Sequence, residues 1–411
     1  MTQRIHPIRA FLWVALLAAL TSLVAAPLAS AASKKKPKAS GYMYTESNDP
    51  NANSVYVFER DKKGKLKQTK TIKTGGKGST QDVGCGPGCP ILDSSGAVDA
   101  VGSLVFVVNA GSDTVTSFKQ AGNGTLKRVD TESTGGDLPN SVAAKNGLLY
   151  VLNTNSGNIY GLRYTSTGKL SQIPLSERPI GGAGQNQIFP SGGARQIGFD
   201  NTGQQVVVTE LASVGPGGPP PGLITSFKLN PDGTTGPGVS TKSQTPLPFG
   251  FAFNDNNVLV VSEVNDPNGT TDGSTSSYGY DAGSGVPTPA GPPLTSGGAL
   301  PCWVSLTKDG TRAFVINTGA GRPAGAAKYN VGPTGVLTST GVTEAPTGTF
   351  LWTDPAQSSD SKFLYVLAPT GPQNKKTSHI DSYKIGSSGS LKFIGSTKKN
   401  LPAGVSGLDG R

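Results

Sequence analysis

Residues 149–164 read LYVLNTNSGNIYGLRY: an apolar run, a polar Asn-rich turn, then a second alternating run. The chain holds seven near-copies of this hairpin. They are YMYTESNDPNANSVYVF (42–58), VFVVNAGSDTVTSF (105–118), the 149–164 stretch, VVVTEL with LITSFKL (206–229), VLVVSEVN with SSYGYD (258–281), AFVINTGAG with AAKYNV (313–331) and FLYVLAPT with HIDSYKI (363–385). Their first runs end at Glu46, Asn109, Asn153, Glu210, Glu263, Asn317 and Ala368, so the repeat recurs every 54 residues or so, about the length of one supersecondary unit. A unit of that size cannot bury its own apolar face and must stack on its neighbours.

Each unit carries four strand candidates. In the sixth, LPCWVSL leads through a KDG turn to RAFVIN, AAKYNV and, after PTG, VLTSTGVTEA. In the third, SVAA leads through KNG to LLYVLN, NIYGLRY and KLSQIPL. Four antiparallel strands joined by Gly-bearing turns make a propeller blade. The first copy has no inner strand before it, and the chain ends on LPAGVSGLDGR (401–411), an inner strand with nothing after it. The C-terminal strand therefore completes blade 1 and removes two sheet edges at once. The fold class expected is all-β, a seven-bladed β-propeller over residues 41–411.

Composition agrees: 57 Gly and 31 Pro with only 15% charged residues describe a chain of turns, poor in surface helix. Arg4 and Arg9, the apolar stretch 10–26 and Ala29-Ser30-Ala31 read as a signal peptide over 1–31, with an uncleaved anchor as the alternative. Residues 32–40 form a basic tether, and Lys34–Lys38 are expected to adhere to an anionic surface. The mature protein is then secreted or held in the cell envelope, as a monomer. Removing Arg4, Arg9 and the four tail lysines reduces the net charge of +10 to +4, and no stretch interleaves aromatics with Lys or Arg, which argues against nucleic acid.

Cys85, Cys89 and Cys302 lack zinc-ribbon spacing, and CGPGC at 85–89 is a tight turn. The expectation is a Cys85–Cys89 disulfide with Cys302 a buried thiol, and a bridge from Cys302 to either one is the alternative.

The opening SNDPNANSVYVFERDKKGKL, TGGKG at 74–78, PFGFAF at 248–253 and CWVSLTKDG at 302–310 resemble the seven-bladed lactonase family, which includes propeller-type 6-phosphogluconolactonase and carboxymuconate cyclase. The resemblance covers residues 41–411. It implies opening or closing of a lactone ring in the central cup, with a sugar-acid lactone or similar small molecule as substrate. It also implies a His-Pro-His element ahead of a middle blade, with arginine and acidic residues nearby. The corresponding stretch, FPSGGARQIGF at 189–199, has no histidine, so no catalytic residue is carried over.

Lactone hydrolysis needs a base for water, a donor for the oxyanion and a proton source for the leaving alkoxide. Arg195 falls in the inner strand of blade 4, where a guanidinium can clamp an oxyanion, or alternatively bridge two blades. Glu46, Glu210 and Glu263 share one level of the ring with Asn109, Asn153 and Asn317. They read as acid/base groups, as oxygen ligands for a hard cation such as Ca²⁺, or as side chains bonded to their own loops. Arg195, Glu210 and Glu263 are expected to converge near the axis, each carboxylate kept ionised well below neutral pH by the arginine. His379 and Asp381 share one face of a strand in blade 7 and read as a solvated or packing pair. Trp303 and Trp352, each placed on an inner strand, read as inter-blade core or as a sugar-stacking platform. Two functions remain open: an exported lactonase-type hydrolase, or a catalytically silent scaffold binding a ligand or a protein partner.

Overall fold

The computed structural model describes residues 39–80, 92, 95–122, 124–180, 193–212, 222–264, 272–319, 323–369 and 377–410. Seven antiparallel sheets follow one another along the chain, each beginning with an inner strand and ending with an outer one. The second strands are Gly41–Glu46, Leu104–Asn109, Leu148–Asn153, Gln205–Leu211, Val258–Glu263, Arg312–Asn317 and Phe363–Ala368. Each is buried along nearly its whole length, as a strand covered on both faces must be.

The exception to chain order is blade 1, whose sheet runs from Leu66–Lys73 through Ser54–Arg60 and Gly41–Glu46 to Ser406–Gly410. Tyr44 lies opposite Asp409 and Thr45 opposite Leu408, with a bulge before Glu46 meets Ser406. Leu401 adds an isolated bridge to Ser378 of blade 7. The seven-bladed ring and its closure by the C-terminal strand are as expected.

Apolar clusters lie between blades. Leu104, Phe106 and Val108 of blade 2 meet Leu149, Val151 and Leu162 of blade 3, and Met43 and Phe58 of blade 1 meet Tyr365 and Leu367 of blade 7. The inner strands are also joined sideways by side chains. Asp409 accepts from Ala100 N at 2.7 Å, Asp99 from Ala144 N at 2.6 Å, and Ser141 Oγ from Ile197 N at 3.1 Å. Gln196 donates to Phe251 O at 2.9 Å and accepts from Phe251 N at 2.7 Å, while Gln357 donates to Ser305 Oγ. This lateral belt gives inner-strand backbone groups partners that no fifth strand supplies.

Outer strands are less regular. In blades 3 and 5 the fourth strand is split, into Leu170–Gln172 with Arg178–Pro179 and into Val286–Pro289 with Leu294–Ala299. Pro174 breaks the first, and the run PTPAGPP (287–293) breaks the second, because proline cannot donate to a ladder.

Candidate active site between blades 4 and 5

Arg195 lies in the inner strand of blade 4, Gly193–Phe199, as expected. The ladder to the second strand pairs Ala194 with Glu210 and Gln196 with Thr209, leaving Arg195 as the extra residue of a β-bulge that recurs around the ring, where Asn140 takes the same place in blade 3 and Cys302 in blade 6. A bulge re-aims a side chain, and they recur beside functional sites. The Arg195 side chain is wholly buried, with its guanidinium carbon 6.0 Å from the centre of the Phe249 ring in blade 5. Phe249 follows Pro248, which pairs across the ladder with Glu263. Thr209 beside Glu210 donates its hydroxyl to Phe249 O. Arg195 and Glu210 therefore stand on paired strands of blade 4, and Glu263 ends the second strand of blade 5, opposite Pro248.

The chemistry of the glutamates departs from expectation. Glu263 is pushed up to about 7 by burial, a rise that bonds from Ser274, Ser276 and Thr245 only partly offset. Ser274 Oγ donates to its Oε2 at 2.6 Å. The groups acting on Glu263 are hydroxyls and include no arginine, so burial prevails and the ionised form expected at neutral pH is not favoured. Glu210 accepts from Thr225 Oγ1 and is equally buried.

Glu46 occupies the same ring level in blade 1, away from this junction. Asn53 donates to its Oε2 and also to Val108 O and Asn109 Oδ1 of blade 2. Burial, and to a lesser degree the charge of Asp354, raises Glu46 to about 8. Asp354 itself is raised to about 7 by burial, against bonds from the backbone N–H groups of Gly407 and Gly96. Among the described residues, no group of three or more His, Cys, Asp or Glu is arranged to hold a metal ion. The proposed Ca²⁺ ligands Glu46, Glu210 and Glu263 do not form one ligand set, because each hangs from its own blade and is held by its own partners.

The asparagines of the ring have a structural use. Asn153 Nδ2 donates to Thr134 O at 2.7 Å, and Asn317 Nδ2 to Ser296 O at 3.1 Å. Asn109 reaches Thr116 Oγ1 at 2.9 Å, which in turn donates to Thr74 O. Each acceptor opens a hydroxyl-Gly-Gly triplet on the crossover from the preceding blade: Thr74-Gly75-Gly76, Thr134-Gly135-Gly136, Ser296-Gly297-Gly298. The first glycine has positive φ in all three (93°, 67° and 63°). A Cβ on Gly76 or Gly298 would fall 2.5 or 2.4 Å from the asparagine amide. The asparagines thus latch the crossovers, Asn109 through Thr116, and Asn109 and Asn153 also bond Thr114 and Asn158 of their own hairpins. The repeated triplet was the signal in the sequence.

In blade 7 the ring position is Ala368, and His379 pairs directly opposite it. His379 Nε2 lies 3.3 Å from Asp381 Oδ1, and Asp381 also accepts from Trp352 Nε1 at 2.9 Å and Ser396 Oγ at 2.5 Å. The pair is buried, not solvated. Trp303 and Trp352 are both core, stacked edge-on against Phe249 and Tyr383. Trp303 stands in its inner strand, but Trp352 precedes the short one, Pro355–Gln357. Cys302 is buried. Cys85 and Cys89, the signal segment and the lysine tail lie outside the described residues.

The ring is a seven-bladed propeller with buried carboxyls in blades 1, 4, 5 and 7. Residues 40–179 match the model of the family described as Lactonase, 7-bladed beta-propeller, so the resemblance drawn from the repeats stands. A protein assigned as a 6-phosphogluconolactonase from Bacteroides fragilis shares the fold, with TM-score 0.64, 15% identity, and 92% of this chain and 99% of that one covered. A protein from Lactobacillus plantarum aligns with TM-score 0.66 at 14% identity over 90% and 99% of the two chains. A periplasmic gluconolactonase from Pseudomonas aeruginosa aligns with TM-score 0.51 at 16% identity over 69% and 78%. No curated protein matches the sequence.

Proposed function

We propose that the chain is an exported lactonase-type hydrolase working at the junction of blades 4 and 5. The observation that supports this reading is a buried arginine 6.0 Å from the ring of Phe249 in blade 5, with buried Glu210 on the paired strand of its own blade and, in blade 5, Glu263, which burial pushes up to about 7. A carboxyl of that acidity serves as base and acid in turn at neutral pH. Ionised Glu263 takes a proton from water as the water oxygen bonds the lactone carbonyl carbon. Arg195 offers N–H groups to the oxyanion that forms. The ring C–O bond then breaks, and the leaving alkoxide recovers the proton from Glu263, giving the open hydroxy acid. Glu210, fixed by Thr225, holds the arginine's charge in place. Export, read from residues 1–31, favours an unphosphorylated sugar-acid lactone, and a periplasmic gluconolactonase shares the fold.

The second reading is a silent scaffold that binds a small ligand or a protein, favoured by the near-complete burial of all three side chains. The two are separated by following lactone hydrolysis at constant pH across a panel of sugar-acid lactones, with and without Ca²⁺. Turnover that is lost in Arg195→Ala, and whose pH limb near 7 disappears in Glu263→Gln, supports the hydrolase. No hydrolysis above buffer across the panel, with calorimetry still detecting a bound lactone, leaves the scaffold.

A further inference from the structure

The outer edge of the propeller is electrically lopsided. The body carries a net charge of only +4, yet residues 62–80 and 382–408 together hold eleven lysines and no acid. The first segment covers the outer strand of blade 1, Leu66–Lys73, and the second the outer strand of blade 7, Leu391–Ser396. Ring closure makes these two edges neighbours, tied by a bond from Asn400 Nδ2 to Gln68 Oε1 at 2.9 Å. Between them runs a groove of about 340 Å³ lined by Lys67, Gln68, Ser396, Lys398 and Asn400. All eleven lysines are exposed; Asp61, Asp381 and Asp409 flank the two segments, and Glu59 faces Lys67 across the blade 1 ladder.

Two details go beyond charge. Lys384 and Lys392 face each other directly across the blade 7 ladder, a like-charge pairing that costs the fold and is relieved by an external anion. Phe393, beside Lys392, is 44% exposed although its ring also packs on Tyr383. Phe393 shares a face with Tyr383, opposite to that of Lys384 and Lys392, so ring and lysines flank the outer edge of blade 7 from its two sides. An edge that carries lysines on one side and an exposed ring on the other suits the boundary between lipid headgroups and acyl chains.

We infer that the adjoining outer edges of blades 7 and 1 form a docking surface for an anionic lipid bilayer. The inference is independent of the catalytic reading. The test is co-sedimentation of the compact unit Ala39–Arg411, without the lysine tail, with vesicles of phosphatidylcholine alone or mixed with phosphatidylglycerol, at low and high salt. Inorganic polyphosphate serves as the soluble polyanion. Binding is expected only to the anionic vesicles and falls as salt rises. Each lysine removed in the series Lys67→Ser, Lys384→Ser, Lys392→Ser, Lys398→Ser lowers the partition coefficient about fivefold. Phe393→Ser lowers lipid partitioning while leaving polyphosphate binding unchanged. Thermal melts of the variants verify that these surface changes leave the fold intact. A quadruple lysine variant that partitions like its parent overturns the inference. So does a Phe393→Ser chain that keeps full lipid binding while the parent binds polyphosphate equally well, which assigns the patch to a soluble polyanion.

Discussion

Deleting residues 401–411 removes the inner strand of blade 1 and opens the ring between blades 7 and 1. Leu401, Val405 and Leu408 are all buried there. Burying an aliphatic side chain of this size stabilises by about 1.5–3 kcal/mol, so the three together contribute roughly 5–9 kcal/mol before the ladder to Gly41–Glu46 is counted. The truncation also removes the Gly407 N–H from Asp354, leaving a buried carboxyl short of a donor. A domain is stable by only about 5–15 kcal/mol in all. The truncated chain should therefore lose its cooperative melt or melt at least about 10 °C lower, since 1 kcal/mol shifts a large domain by about 2 °C. Differential scanning calorimetry reads this directly. Adding a synthetic peptide of residues 399–411 should restore part of the loss, which separates a missing strand from general misfolding. A truncated protein melting within about 2 °C of the parent would refute the closure argument, because that change is worth only about 1 kcal/mol.

Further outcomes can be checked singly. Glu46, Glu263 and Asp354 have folded pKa values raised to about 8, 7 and 7. A raised acid binds its proton more tightly in the folded state, so the stability it contributes is present at low pH and is lost as pH rises from about 4 to 8. Urea midpoints should fall between pH 5 and pH 8, the opposite of a protein held by ionised carboxylates, and a midpoint that climbs over this range refutes the assignment. Gly298→Ala drives a Cβ into the Asn317 amide and should cost about 1–3 kcal/mol, as overpacking does; an unchanged melting temperature would count against the latch. Arg195→Ala should destabilise by roughly 3–5 kcal/mol if its buried charge pairs with a carboxylate, and an unchanged urea midpoint would rule that pairing out. Peptide mapping of the unreduced protein should find Cys85 linked to Cys89, and a bridge containing Cys302 would replace that pairing.

What the sequence made legible was whatever recurs. The seven runs ending at Glu46 through Ala368 fixed the blade count, and the unmatched LPAGVSGLDGR fixed the closure, because a repeat missing a strand at one end and holding a spare at the other admits one economical pairing. Arg195 was placed on its inner strand by that alignment alone. Features that occur once, or depend on burial, stayed hidden. Asp354 sits in LWTDP with no counterpart in other blades, so nothing marked it as the acceptor where three inner segments meet. The upward shift of Glu263 depends on how completely neighbouring blades cover it, which spacing does not encode. For His379 the choice between a solvated and a packing pair stayed open for the same reason: alternation says which face a side chain takes, not what lies against that face.

Because blade 1 is assembled from the two ends of the chain, the order of synthesis matters to folding. Blades 2 to 7 are built from consecutive hairpins and can form as they emerge, since their contacts are local. Blade 1 must wait with three strands and an unpaired edge until the last ten residues arrive to occupy it. Until then the chain exposes a sheet edge and the inter-blade faces of blades 1 and 7, surfaces that invite aggregation or a holding factor. A chain passed through a membrane unfolded would meet no such delay on the near side: it could complete its ring only after the final residues had crossed, so release and folding would coincide.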